Sequence, residues 1–115
     1  MQKNIYGKRS EIVASQFLKE KGYKIIAVNY KNKIGEIDVI ARDKECLVFV
    51  EVKARISQQF GHPLEAVNAQ KQQKIRAVAS VYLMKNNLLN AECRFDVISI
   101  LGVENPEIQH IMAAF

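Results

Sequence analysis

The alternation of apolar and polar positions divides the chain into seven elements. Val13, Ala14, Phe17 and Leu18 form a stripe at helical spacing, which predicts a helix from Lys8 to Lys21 stopped by Gly22. Tyr23–Tyr30 predicts a first strand, and Lys31-Asn32-Lys33 a polar turn. Glu36–Arg42 and Cys46–Lys53 predict two more strands, joined by Asp43-Lys44-Glu45. That connection is too short for a parallel crossover, so the pair is expected to be an antiparallel hairpin. Gln58–Pro63 predicts a loop. A second helix is expected over Ala69–Lys85, capped by Asn68, with Ile75, Val78, Ala79 and Tyr82 on its buried stripe. Arg94–Leu101 predicts a fourth strand and Ile108–Met112 a short fifth. The pattern α-β-β-β-α-β implies a single α/β domain over residues 1–115, with a central mixed sheet of four to five strands and a helix on each face.

Charge interrupts this pattern at one place. Val48–Val52 has the composition of a strand buried on both faces, yet it contains Glu51 and runs into Lys53. A two-residue turn at Lys44-Glu45 pairs Asp43 with Cys46, which sets Asp38 opposite Glu51 and Glu36 opposite Lys53. Directly opposed Cβ atoms are roughly 4.5–5.5 Å apart. Strand alternation then puts Glu36, Asp38, Glu51 and Lys53 on one face, and Ile37, Val39, Val48, Val50 and Val52 on the other. Two opposed carboxylates repel, so one takes a proton or a cation sits between them. Hard oxygen donors suit Mg²⁺ or Mn²⁺, and such an ion promotes phosphodiester hydrolysis. Glu11 lies on the inward side of the first helix and can join that group.

Composition narrows the setting. Of 115 residues, 49% are hydrophobic and 25% charged, the balance of an ordinary globular domain. The start, Met1 to Tyr6, has no signal-peptide apolar region, and no apolar run reaches the roughly 20 residues of a membrane span. Cys46 and Cys93 sit in apolar strands and are expected to be core thiols of a cytoplasmic protein. A formal charge of +5 and a pI near 9.3 favour a polyanionic partner. No His/Cys spacing suggests zinc, and there is no Gly-rich phosphate loop.

Each charged position also has a plain structural reading. Glu51 and Lys53 could form a simple ion pair, Asp38 could accept hydrogen bonds at the sheet surface, and Glu11 could complement the helix dipole. Glu36 is either an assisting ligand or a partner of Lys53. Arg55 either holds a phosphate or pairs with Asp96 or Glu65. Lys71, Lys74 and Arg76 make the second helix basic, which serves either phosphate contact or solubility. Asp96 beside Arg94 is expected to be structural, His62 a turn residue, and His110 to lack a partner. Tyr23, Phe17 and Phe49 are core by pattern, whereas Tyr30 is either core or a stacking platform for a base.

Asp38, a short gap and Glu51-Val52-Lys53 resemble the PD-(D/E)XK nuclease superfamily, with its restriction-endonuclease-like core. Gly35-Glu36-Ile37-Asp38, Phe49 to Lys53, Arg55, Phe60-Gly61, Val67, Lys71 and Arg94 to Val97 together resemble the YraN-like small bacterial proteins, predicted endonucleases similar to Holliday-junction resolvases. The resemblance implies catalytic Asp38, Glu51 and Lys53, and an Mg²⁺ or Mn²⁺ ion held by Asp38, Glu51 and Glu11. It implies assistance from Glu36 and Gln70, with phosphates bound by Arg55, Lys71 and Lys74. The substrate it implies is DNA, branched DNA in particular, and resolvases act on it as homodimers. The superfamily's proline before the aspartate is Ile37 here. The alternative is a nucleic-acid-binding module on the same fold with little or no hydrolysis, and a third reading is an interaction protein whose carboxylates only pair with cations.

Overall fold

The computed structural model describes residues 8–57 and 67–115, and the side chains from residue 10 onward in the first segment. The predicted loop Gln58–Pro63, with Phe60, Gly61 and His62, lies outside the described residues, as does Glu65. The order of elements is α1 (Lys8–Glu20), β1 (Lys24–Lys31), β2 (Glu36–Asp43), β3 (Cys46–Arg55), α2 (Ala69–Lys85), β4 (Cys93–Leu101) and β5 (Glu107–Ile111). The five strands form one mixed sheet in the order β1-β2-β3-β4-β5. Only the β3–β4 pair is parallel, and α2 makes the crossover between them.

Local chemistry sets the boundaries. Gly22 ends α1 with φ +97, which places Gly22 N–H on the Lys19 carbonyl and Tyr23 N–H on that of Leu18. This is a Schellman closure, and Tyr23 packs in the same cluster as Leu18. Asn68 caps α2 through its side-chain oxygen, which accepts from Lys71 N–H at 2.9 Å. Lys44 turns the β2–β3 hairpin at φ 55 and brings Asp43 opposite Cys46, as the loop length requires.

The sheet is buried on both faces. Ala14 and Leu18 of α1 cover Val39, Val48, Val50 and Ile98. Ile75, Val78 and Tyr82 of α2 cover Ile40, Phe49 and Val97. Each fully buried large apolar side chain contributes roughly 1.5–3 kcal/mol. The central strand β3 is therefore buried without a break from Leu47 to Glu51. Tyr30 belongs to the core, its ring 5.2 Å from that of Tyr82. Both cysteines are free: Cys46 packs on the α1 side and Cys93 on the α2 side, so the sheet itself separates them.

Strict alternation would place Ile37 on the face of Val39. The structure instead puts Ile37 among Ile40, Phe49 and the α2 residues. A local irregularity lies across from it in β1. Asn29, between the pairs Val28–Val39 and Tyr30–Ile37, takes a left-handed φ of 58. Asparagine tolerates that conformation, and Tyr30 and Ile37 beyond it both pack toward α2.

This irregularity adjoins a fork in the sheet. The β2–β3 ladder stops at Val39–Val50. Beyond it, β2 stays with β1 through Ile37 and Glu36, while β3 stays with β4 from Glu51 through Arg55. The two strands separate where Asp38 and Glu51 leave the ladder.

Candidate active site

The fork frees a backbone donor, and Asp38 takes it. Val52 N–H donates to Asp38 Oδ2 at 2.7 Å in place of a strand carbonyl. Asp38 also shares a hydrogen bond with Glu51, so the two carboxyls converge as the register predicts. Glu11 approaches the pair from α1, near enough to interact with Asp38, but does not line the cleft into which that pair opens. Its Oε2 is buried and has no hydrogen-bond partner. Opposite, the first turn of α2 brings Lys71 Nζ to 2.8 Å from Glu51 Oε2. Lys53 lies beside Lys71, close enough for their positive charges to interact. Glu51 thus pairs across the cleft with Lys71.

Burial and mutual contact decide the charges. Burial, then the hydrogen bond and charge of Glu51, push the Asp38 carboxyl up to about 9. Burial also acts to raise Glu51, but the hydrogen bond from Asp38 and the Lys71 ammonium outweigh it and hold Glu51 below the usual range. The two carboxyls therefore favour holding one proton between them. Burial raises Glu11 as well, with the Glu36 charge adding to it. Lys53 is lowered, first by burial and then by Lys71. Lys71 is raised because its bond to Glu51 exceeds the cost of its own burial.

Asp38, Glu51, Lys53 and Lys71 open into a cleft of about 570 Å³. Asp38, Glu51 and Lys53 line its inner wall, and Lys31, Lys71 and Lys74 its rim. The Asn32–Gly35 turn closes one side. Asn32 Oδ1 accepts from Ile34 and Gly35 N–H, and its Nδ2 donates to the Val78 carbonyl of α2. Gly35 lets the turn approach α2 closely, since a Cβ there would stand 3.2 Å from Lys74 Cε.

The other expected residues fall at different distances from this group. Glu36 lines the cleft mouth, but its ion-pair partner is Lys31 at 4.0 Å across the β1–β2 pair; the expected pairing with Lys53 does not form. Gln70 is exposed and does not line the cleft; its neighbour Lys71 does. Arg55 ends β3 opposite Leu101, outside the cleft lining. Asp96 is structural as expected, but its partners include His110, whose Nε2 lies 2.7 Å from Asp96 Oδ2. The Arg55–Asp96 pairing is not the one found, because Asp96 is taken by Arg94 and His110.

Sequence reasoning missed Lys31, Asn29 and Asn32. One signal was present: an asparagine inside an apolar strand departs from strand preference and marks a special backbone position. Among the described residues, no three His, Cys, Asp or Glu side chains stand together as a finished metal cage. No helix among them is long and apolar enough to cross a membrane.

Fold and cleft together define a small α/β protein with a carboxylate pair at a sheet fork and a collar of lysines. The chain belongs to the uncharacterised protein family UPF0102, whose profile matches residues 10–100. Similar proteins span nearly its whole length. A UPF0102 protein of Clostridioides difficile is 50% identical over 109 residues, covering 95% of each chain. One of Caldanaerobacter subterraneus is 47% identical, covering 98% of this chain and 96% of its own. One of Alkaliphilus metalliredigens is 45% identical, covering 95% of this chain and 96% of its own.

Proposed function

We propose that this protein is a metal-dependent nucleic-acid phosphodiesterase of the PD-(D/E)XK type, an endonuclease acting on DNA. One observation carries the reading: Asp38 and Glu51 converge at the β2–β3 fork with Lys53 beside them, inside a lysine-rimmed cleft. The donors suit a hard divalent cation. Asp38 and Glu51 share a proton where a cation would relieve their repulsion, and a buried Glu11 oxygen lacks a partner. With no finished cage, Mg²⁺ or Mn²⁺ would keep several waters, as Mg²⁺ commonly does. Such an ion supplies Lewis-acid polarisation of the phosphoryl oxygen.

The chain's own residues supply the rest. Asp38 and Glu51 would hold the ion, with Glu11 assisting. Lys53 positions the attacking water through Nζ, and its lowered pKa leaves more of the amine neutral and so free to take up a proton. Lys31, Lys71 and Lys74 bind phosphates along the rim. Water attacks phosphorus in line with the departing sugar oxygen. Branched DNA is the proposed substrate, cut by a homodimer in the cytoplasm, because a four-way junction is two-fold symmetric.

The Lys71–Glu51 ion pair favours one second reading. It neutralises Glu51 without metal, as in a binding module that never hydrolyses DNA. The test incubates plasmid, single-stranded and four-way-junction DNA with Mn²⁺, Mg²⁺ or EDTA. Wild type is expected to cut only with metal, and Lys53→Ala and Asp38→Asn to lose roughly 10²-fold or more in rate. Salt-sensitive binding with no cleavage of any substrate would establish the module and end the nuclease reading.

A further inference from the structure

We propose that Lys71 is a resident counter-cation that exchanges between Glu51 and a substrate phosphate. The inference rests on the metal-dependent reading above. In the protein as it stands, Lys71 Nζ occupies the ligand oxygen of Glu51 at 2.8 Å. The ammonium and a divalent cation compete for the same carboxylate charge and repel each other there, so metal binding favours release of Lys71. It has somewhere to go. Its side chain is 39% exposed and lines the cleft beside Lys31 and Lys74, the rim a phosphate would meet.

The anchoring is uneven in a way that suits exchange. The Lys71 backbone is held by the Asn68 cap, so the pivot stays fixed while the four-carbon stem swings. Glu51 cannot follow, because its side chain is buried to 9% exposure in the central strand. Lys74, one turn further along α2, makes no ion pair with a carboxylate among the described residues and has its stem against Gly35. The two lysines therefore differ in role despite equal charge. Lys71 guards the cation position and then joins the phosphate contacts, whereas Lys74 only adds to the rim.

The experiment measures Mn²⁺ binding from the free-ion electron paramagnetic resonance signal, on wild type, Lys71→Met, Lys71→Arg and Lys74→Met. Lys71→Met is expected to bind Mn²⁺ about tenfold tighter, the equivalent of about 1.4 kcal/mol. Lys71→Arg keeps an occupying cation and should stay near wild type. Lys74→Met loses the same charge without vacating Glu51, and should change by less than about threefold. The exchange is read separately by the salt slope of junction binding in Ca²⁺ and in EDTA. Lys71→Met should lower that slope by about one in Ca²⁺ and by less in EDTA. If Lys71→Met folds poorly, Lys71→Gln serves in its place. Equal tightening by Lys71→Met and Lys74→Met would mean bulk charge alone, and would overturn the inference. So would an equal slope loss with and without Ca²⁺. Either result leaves the nuclease reading standing if wild type binds Mn²⁺. Failure of every variant to bind millimolar Mn²⁺ would remove the metal reading and the inference with it.

Discussion

Two clusters bury carboxylates in this sheet, and they treat them differently. Asp96, in β4, is fully buried and fully answered. Arg94 grips it with Nε and Nη2 at 2.9 and 3.0 Å, Ala113 N–H donates at 2.9 Å, and His110 Nε2 stands at 2.7 Å. Arg94 reaches on to Asp43 and Tyr23, tying β2 and the end of α1 to β4. Burial would raise Asp96, but His110 and Arg94 outweigh it and hold its pKa below the usual range. The Asp38–Glu51 pair has the opposite character. Its members satisfy one another by sharing a proton, Asp38 is pushed up to about 9, and Glu11 keeps an oxygen without a partner. A completed network stabilises a fold, whereas groups placed against their own preference mark a site built for something to arrive.

The contrast can be broken by mutation, and the largest effect is expected at Asp96. Asp96→Ala strands a part-buried arginine and a buried imidazole, and should cost about 3–5 kcal/mol in urea unfolding. A loss under 1 kcal/mol would show that the network is not structural. Asp38→Asn should instead leave metal-free stability at pH 8 within about 1 kcal/mol of wild type, or raise it. The amide can donate to Glu51 and accept from Val52 N–H, as a protonated Asp38 would, and never carries a charge that repels Glu51. A loss comparable to Asp96→Ala would erase the distinction.

Stability against pH sharpens the same comparison. The folded-state pKa of Asp38 lies above the ordinary 3.8, near 9. Its contribution is therefore full below the ordinary value and is lost as pH rises through about 9. Asp96 is lowered, so its contribution is present above the ordinary value and is lost on acidification. The melting temperature of metal-free protein should fall between neutral pH and pH 9, and Asp38→Asn should flatten that fall. An unchanged slope in the variant would assign the proton to another group. The smallest effect is expected at Gly35→Ala. The new Cβ meets the flexible end of Lys74 at 3.2 Å and Val78 Cγ2 at 3.4 Å. Stability should change by less than about 1 kcal/mol, with DNA affinity in fluorescence anisotropy weakened through displacement of Lys74. A larger loss of stability would place the closing turn in the structural half of the molecule.

The alternation of side chains, the Asn68 cap, the Gly22 stop and the length of the Lys44-Glu45 turn are local properties. They were enough to define the helices, the hairpin register and the meeting of Asp38 with Glu51. Local rules run through neighbours in sequence, so they could not anticipate the fork at Val39–Val50 or the turn of Ile37 toward α2. They also could not choose Lys71 over Lys53 as the partner of Glu51, or Lys31 over Lys53 as that of Glu36. His110, without an evident partner in sequence, meets Asp96 only because β5 pairs back onto β4. Which charges face each other across a cavity depends on how distant elements pack, and that was decided by the folded sheet and the helix laid over it.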